Sequence, residues 1–227
     1  IQTNVMNDIT AYIRTGIRIH NVSVYTPKQK NGLLHCVIVR SSHYTRQAQV
    51  TFVVTKADLN LLRPFARDIS EKFMNIQGVF MQIASPEQQI NNQDVANDQE
   101  LKIIVGQDLI EEKYSDLLLK YSAASFMPSN TLMANRIYNR IEELSELTGK
   151  ETIIDLFCGA GGISLSLARS AKEVIGIDHS SSAIKDATRN AKSNNLSNVG
   201  FYEGEISAVI SQLIESKRIH KVDVVVI

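Results

Sequence analysis

The chain has 227 residues, 44% of them hydrophobic, with 24 Lys and Arg balanced by 24 Asp and Glu. That length makes one large or two modest domains with a full apolar core, and a charge balance that holds in both halves does not advertise a polyanion-binding surface. Two cysteines, Cys36 and Cys158, exclude a disulfide scaffold and a cysteine-built metal site, and no secretion signal, membrane span or lipidation motif is present, which points to a soluble, cytoplasmic protein.

The elements follow in order. Residues 1–15 place Val5, Ile9, Tyr12 and Ile13 at helical spacing, and Gly16 is expected to stop that helix. Asn31-Gly32 is a turn signal before a strand at 33–40, and a second strand at 49–55 completes a hairpin. Residues 57–74 have helical spacing, with Pro64 expected to split the helix or mark its start. A strand at 78–84, a long polar loop at 85–99, and strands at 101–105 and 117–121 complete an α+β domain over residues 1–121. From Ser129 the character changes. Ser129 or Asn130 caps a helix with an expected apolar face of Leu132, Ile137, Ile141, Leu144 and Leu147, ended by Gly149. Strands at 152–155, 173–177, 198–202 and 222–227 then alternate with helices at 162–170, 181–193 and 205–216. Regular alternation means a parallel sheet with crossover helices, so residues 122–227 read as an α/β, Rossmann-like domain with its ligand above the carboxyl ends of the strands.

The chemistry concentrates in Thr152–Gly162. A β-branched strand ends in Asp155 and passes through Phe157 and Cys158 into Gly159-Ala160-Gly161-Gly162, then into a helix. Glycines let such a loop turn tightly and admit a ligand against its backbone, and the helix amides face that ligand. Asp178 stands at the end of the next strand, where a carboxylate can accept ribose hydroxyls. A dinucleotide and S-adenosyl-L-methionine both fit. The spacing Gly159-x-Gly161-x-x-Ser164 half-matches the dinucleotide fingerprint but ends in Ser, and Asp155 directly before the loop would repel a pyrophosphate while suiting an ammonium group. The balance favours S-adenosyl-L-methionine. Glu205, after the third strand of this domain, falls where adenine would lie.

At these residues the sequence resembles the S-adenosyl-L-methionine-dependent uracil-5 RNA methyltransferases, which make 5-methyluridine in tRNA or 23S rRNA. Gly32–Arg40 is similar to the family's G-x-L-R strand, Ser125–Thr131 to its S-F-F-Q-x-N signature with Tyr138 following, Asp155–Gly162 to its D-L-F/Y-C-G-x-G loop, and Asn190-Ala191 with Asn194–Phe201 to its N-A-x-x-N stretch. The resemblance implies cofactor contacts at Phe157, Gly162, Asp178 and Glu205, with Asp178 on the ribose and Glu205 at the adenine end, and RNA as the partner; the loop reading itself adds Asp155, Gly159 and Gly161 as cofactor-binding residues. Two departures stand out. Pro128 occupies the place of the family's cofactor-contacting Gln. The chain stops at Ile227, where the family's D-P-P-R motif is due, so the family's nucleophilic Cys and general-base Glu have no counterpart here, no catalytic residue is expected among residues 1–227, and both ends look cut. Two other readings compete: a catalytically inert RNA- or protein-binding relative, which Pro128 favours slightly, and a nicotinamide or flavin oxidoreductase.

Overall fold

The computed structural model describes residues 4–84 and 101–227; the polar loop expected at 85–99 lies outside the described residues. The chain divides into two compact units, residues 1–111 with 122–124, and residues 112–121 with 125–227.

The first unit opens with α1 (Asn4–Ile19), β1 (Leu34–Ser41), β2 (Ala48–Val54), α2 (Leu59–Lys72), β3 (Ile76–Ile83) and β4 (Lys102–Gly106). The sheet runs in the order β1-β2-β3-β4, antiparallel except for β2 and β3, which are parallel and joined through α2. Ile9 and Ile13 of α1 and Leu62, Phe65 and Ile69 of α2 share one core with Val50, Phe52, Val54, Val79 and Met81.

Two expectations fail here for local reasons. Gly16 does not stop α1, which runs on to Ile19; it is buried where a Cβ would lie 2.2 Å from the Phe65 ring, so the residue is kept for close helix approach. Pro64 does not split α2. It lies in the second turn on the exposed side, where water can take the carbonyl left without its amide partner, and Asp58 caps the helix by accepting the Leu61 N–H at 3.1 Å.

β5 (Leu109–Tyr114) and β6 (Leu117–Ser122) form a two-stranded sheet whose residues 112–121 belong to the second unit. Strand β5 has no counterpart among the expected elements. The division thus differs from a single cut at 121/122 by this hairpin. The remainder is α3 (Thr131–Leu144), β7 (Thr152–Leu156), α4 (Gly162–Ala168), β8 (Glu173–Asp178), α5 (Ser181–Ser193), β9 (Val199–Glu203), α6 (Ile206–Glu215) and β10 (Val224–Val226). All pairings in the sheet β10-β7-β8-β9 are parallel. Alternate strand residues serve opposite faces: Ile154, Ile175 and Ile177 pack with Val209 and Leu213 of α6, while Ile153 and Val174 pack with Leu167 and Ala168 of α4. This is the doubly covered parallel sheet that the alternating pattern implied.

The face expected for α3 is only partly right. Ile141 and Leu147 do pack toward the sheet core, but Leu132, Ile137 and Leu144 are exposed, and the buried residues are Thr131 and Ala134. Small side chains let the helix come close, and Asn130, not Gly149, sets a boundary, capping the start by accepting the Met133 N–H at 3.0 Å. The helix ends at Leu144 with Ser145 as its cap. No helix among the described residues is long and apolar enough to cross a membrane.

Candidate functional site

The loop between β7 and α4 turns on three residues with positive φ: Phe157 at 64°, Gly159 at 54° and Gly161 at 87°. For Phe157 this conformation is costly, and such strain persists where surrounding contacts impose it. Those contacts are specific. The Cys158 N–H donates to the Ile177 carbonyl at 3.0 Å, the Gly161 N–H to the Cys158 carbonyl at 2.9 Å, and the Gly159 N–H to Asp178 Oδ2 at 2.8 Å. The other oxygen of Asp178 accepts the Ser180 N–H at 2.9 Å and lies 3.4 Å from His179 Nδ1. Asp178 therefore ties the glycine loop to the start of α5 while remaining 7% exposed.

Asp155 lies deeper. It is 2% exposed and accepts a 2.5 Å hydrogen bond from the Ser164 hydroxyl, in the first turn of α4. Burial pushes its carboxyl up to about 6, and the nearby Asp178 charge adds to the rise, against the lowering effect of Ser164. Burial likewise pushes the Cys158 thiol well above its ordinary range, helped by both carboxylates. The Tyr138 phenol is pushed up to about 12 by burial and then by Asp155.

A cavity of about 420 Å³ opens beside the loop. Phe157, Cys158, Gly159, Ala160 and Gly162 form one wall; Tyr121, Phe126, Pro128, Met133, Ile137 and Tyr138 form the other. Its size and mixed lining suit a small-molecule ligand. Of the residues singled out from sequence, Phe157, Gly159 and Gly162 line it, as do Pro128 and Tyr138. Asp178 reaches it through its bond to Gly159. Asp155 does not line it and lies beneath the loop, held by Ser164. Gly161 is the N-cap of α4, where a Cβ would meet Phe201 at 3.0 Å and Ala187 at 3.2 Å, so its absence of a side chain serves helix packing. Glu205 is the exposed N-cap of α6 and is not among the lining residues.

Gly162 is also a packing glycine. A Cβ there would stand 2.4 Å from the Tyr138 hydroxyl and 2.8 Å from Cζ, and the Tyr138 ring is itself backed by Tyr114 at 5.4 Å between centroids. Gly162→Ala is expected to destabilise the domain by about 2 kcal/mol, the usual cost of overpacking. Adding Tyr138→Phe should return part of that loss, because the closest atom is gone. Urea unfolding of the two single variants and the double variant checks this, and strict additivity would contradict the clash.

Sequence reasoning reached the second wall only through the motif resemblance, at Phe126, Pro128 and Tyr138, and missed Met133 and the cavity-facing place of Ile137. Phe126, between β6 and α3, is 75% exposed, and Met133 and Ile137 of α3 are about half exposed; on a helix Ile137 reads as an ordinary core position. In the sequence Ser164 is only a mismatch to a dinucleotide fingerprint, yet it is the partner of Asp155. Its position two residues into α4, on the buried side of the helix, is the available signal.

Residues 147–227 match the family model of a methyltransferase domain. A relative from Geobacter sulfurreducens, named as an uncharacterized RNA methyltransferase, is 31% identical over 92% of this chain and 41% of its own length. One from Listeria innocua with the same description is 36% identical over 83% of this chain and 40% of its own. The chain thus spans about two-fifths of the length of these curated relatives. Among solved structures, the Pyrococcus abyssi tRNA (uracil-54, C5)-methyltransferase in complex with S-adenosyl-L-homocysteine superposes with a TM-score of 0.65 at 21% identity, covering 85% of this chain and 45% of that one. The fold is therefore mixed α/β with a Rossmann-like methyltransferase sheet.

Proposed function

We propose that the cavity beside the Phe157–Gly162 loop binds S-adenosyl-L-methionine and that the protein is an RNA methyltransferase acting on C5 of uridine. The observation that carries the cofactor half is the Asp178 carboxylate, fixed at the end of β8 by the Gly159 and Ser180 amides beside a glycine loop of methyltransferase type. A carboxylate so held presents its remaining lone pairs to a ribose edge. Gly159 leaves open space on the ligand side, with no atom within 4 Å of the point where a Cβ would stand. The apolar wall of Phe126, Met133 and Ile137 suits the rest of such a ligand. Asp155, beneath the loop, supplies negative potential toward a cationic group above it. Pro128 lines the cavity and has no amide hydrogen to donate. Glu205 would meet the adenine end only through a ligand that extends beyond the cavity wall.

Bound there, the cofactor supplies an electrophilic methyl group, and the residues of this site orient it. C5 of uracil is a poor nucleophile, and activating it calls for a thiolate that adds at C6 and a base that removes the C5 proton. Neither cysteine fits that role: burial raises the thiol pKa of both Cys36 and Cys158. On this reading residues 1–227 supply the cofactor site, and the motif resemblance assigns the nucleophile and base to other parts of the whole protein. The RNA assignment rests on the names of the relatives, and the uracil-5 assignment on the motif resemblance and the tRNA (uracil-54, C5)-methyltransferase fold.

The test is isothermal titration with S-adenosyl-L-methionine, with a dinucleotide as the comparison ligand, followed by transfer of labelled methyl to uridine-containing RNA. Saturable binding of the cofactor, none of the dinucleotide, and no transfer by residues 1–227 alone is the expected result. Tight dinucleotide binding would overturn the cofactor assignment, and methyl transfer by these residues alone would overturn the division of labour.

A further inference from the structure

We infer that Asn190 is a positioning residue that sets the spacing between the two walls of the cavity, an inference that rests on the cofactor reading above. Asn190 lies in the last turn of α5 and is fully buried. A buried amide in a helix interior is unfavourable unless its hydrogen-bonding capacity is met. It is met from two directions. Asn190 Oδ1 accepts the Lys120 N–H at 2.7 Å, and Nδ2 donates to the Lys120 carbonyl at 3.1 Å and to the Ala160 carbonyl at 3.0 Å. Ala160 belongs to the glycine-loop wall of the cavity, and Lys120 adjoins Tyr121 in the opposite wall. One side chain thus holds both walls from behind without touching the space between them.

Asn194, one turn later, separates this role from a purely structural one. Its Oδ1 accepts the Leu118 N–H at 3.1 Å and its Nδ2 donates to the Leu118 carbonyl at 2.9 Å. A side-chain amide offers the same donor and acceptor as a peptide unit. One helical turn of four residues rises about 6 Å and two strand residues about 6.6 Å, so asparagines at i and i+4 match alternate residues of β6. Both therefore clamp the hairpin in the same way. Only Asn190 has a further bond to the loop; the remaining donation of Asn194 goes to the Asn190 carbonyl, within its own helix.

The experiment compares Asn190→Ala with Asn194→Ala, measuring melting temperature, affinity for S-adenosyl-L-homocysteine by titration calorimetry, and hydrogen exchange of the 158–162 amides without ligand. Both variants should lower the melting temperature. Asn190→Ala should weaken the ligand by about tenfold or more and speed exchange across the loop, while Asn194→Ala stays within about twofold in affinity, in keeping with the loss of one buried bond to the site. If Asn190→Ala does not fold, Asn190→Ser, which keeps one donor, takes its place. Unchanged affinity and exchange in the Asn190 variant, or equal losses in both variants, overturn the positioning role. Loop amides that open only in the Asn190 variant of a protein binding no S-adenosyl-L-homocysteine support the positioning role and overturn the cofactor reading alone.

Discussion

Replacing Asp178 by Ala should weaken S-adenosyl-L-methionine by about 100-fold, close to 2.7 kcal/mol, and should also loosen the loop that carries Phe157 and Gly159. Two losses combine. The ribose edge loses its acceptor, and the Gly159 and Ser180 amides, bonded at 2.8 and 2.9 Å, lose a charged partner. Bonds to a charged acceptor are stronger than neutral ones, and a half-buried amide left alone is costly, so the stability of the domain falls as well. Asp178→Asn distinguishes the contributions. Its amide keeps one oxygen for one backbone N–H but turns a donor toward the other, so affinity should lie between wild type and Asp178→Ala. Calorimetric titration of the three proteins, with their melting temperatures, makes the check. Undiminished affinity in Asp178→Ala would falsify this placement of the ribose.

How much of this is readable beforehand differs between elements. Helix α5 is legible to the residue because its signals are local: Ser180 caps it by accepting the Ala183 N–H at 3.3 Å, and its small apolar residues recur at helical spacing. The parallel sheet is legible because β7 and β8 are buried at their centres and read as short β-branched runs, Thr152–Ile154 and Val174–Ile177, the second interrupted by Gly176. Strand β5 is not, because Leu109–Tyr114 carries Glu111-Glu112 at its centre. Glu112 is fully buried, and its partners are the Lys113 amide at 2.9 Å and the Thr131 hydroxyl at 2.8 Å. No short-range rule places a carboxylate inside a strand when the hydroxyl that satisfies it comes from a helix 19 residues away.

The candidate site shows the same split. Gly159 and Asp178 can be singled out because a turn with positive φ and an acid at a strand end are properties of short sequence. The α3 part of the apolar wall cannot, because the exposure of Met133 and Ile137 is a result of which face α3 turns inward, the face that buries Ala134 and sets Tyr138 against Gly162 of α4. The asparagines are legible only as a recurrent pattern. Their meaning, a side-chain imitation of a strand edge, needs β6 beside the helix.

The pH dependence of stability is expected to carry the mark of Asp155. Its carboxyl is raised from 3.8 to about 6 in the fold, so the fold holds the proton more tightly than the unfolded chain does while the group is still mostly ionised at neutral pH. A raised carboxyl contributes stability that is complete below the unfolded value near 3.8 and is lost as pH rises through about 6. Two units correspond to about 3 kcal/mol as an upper figure for one group. Asp155→Asn removes the titration. The difference in unfolding free energy between wild type and variant should therefore change by up to about 3 kcal/mol between about pH 4 and about pH 7, the wild type being relatively more stable at the acid end. Urea unfolding across that range reads it directly, and parallel profiles for the two proteins would sink the idea. A cationic ligand works in the opposite direction. It favours the ionised carboxyl, so its binding expels a proton near pH 6 and its affinity climbs as pH rises from about 5 to about 7. Asp155→Asn should lose that climb while keeping the Asp178 contacts. A wild-type affinity for S-adenosyl-L-methionine that is flat over this range would place the ammonium group away from Asp155 and return the residue to a purely structural role beneath the loop.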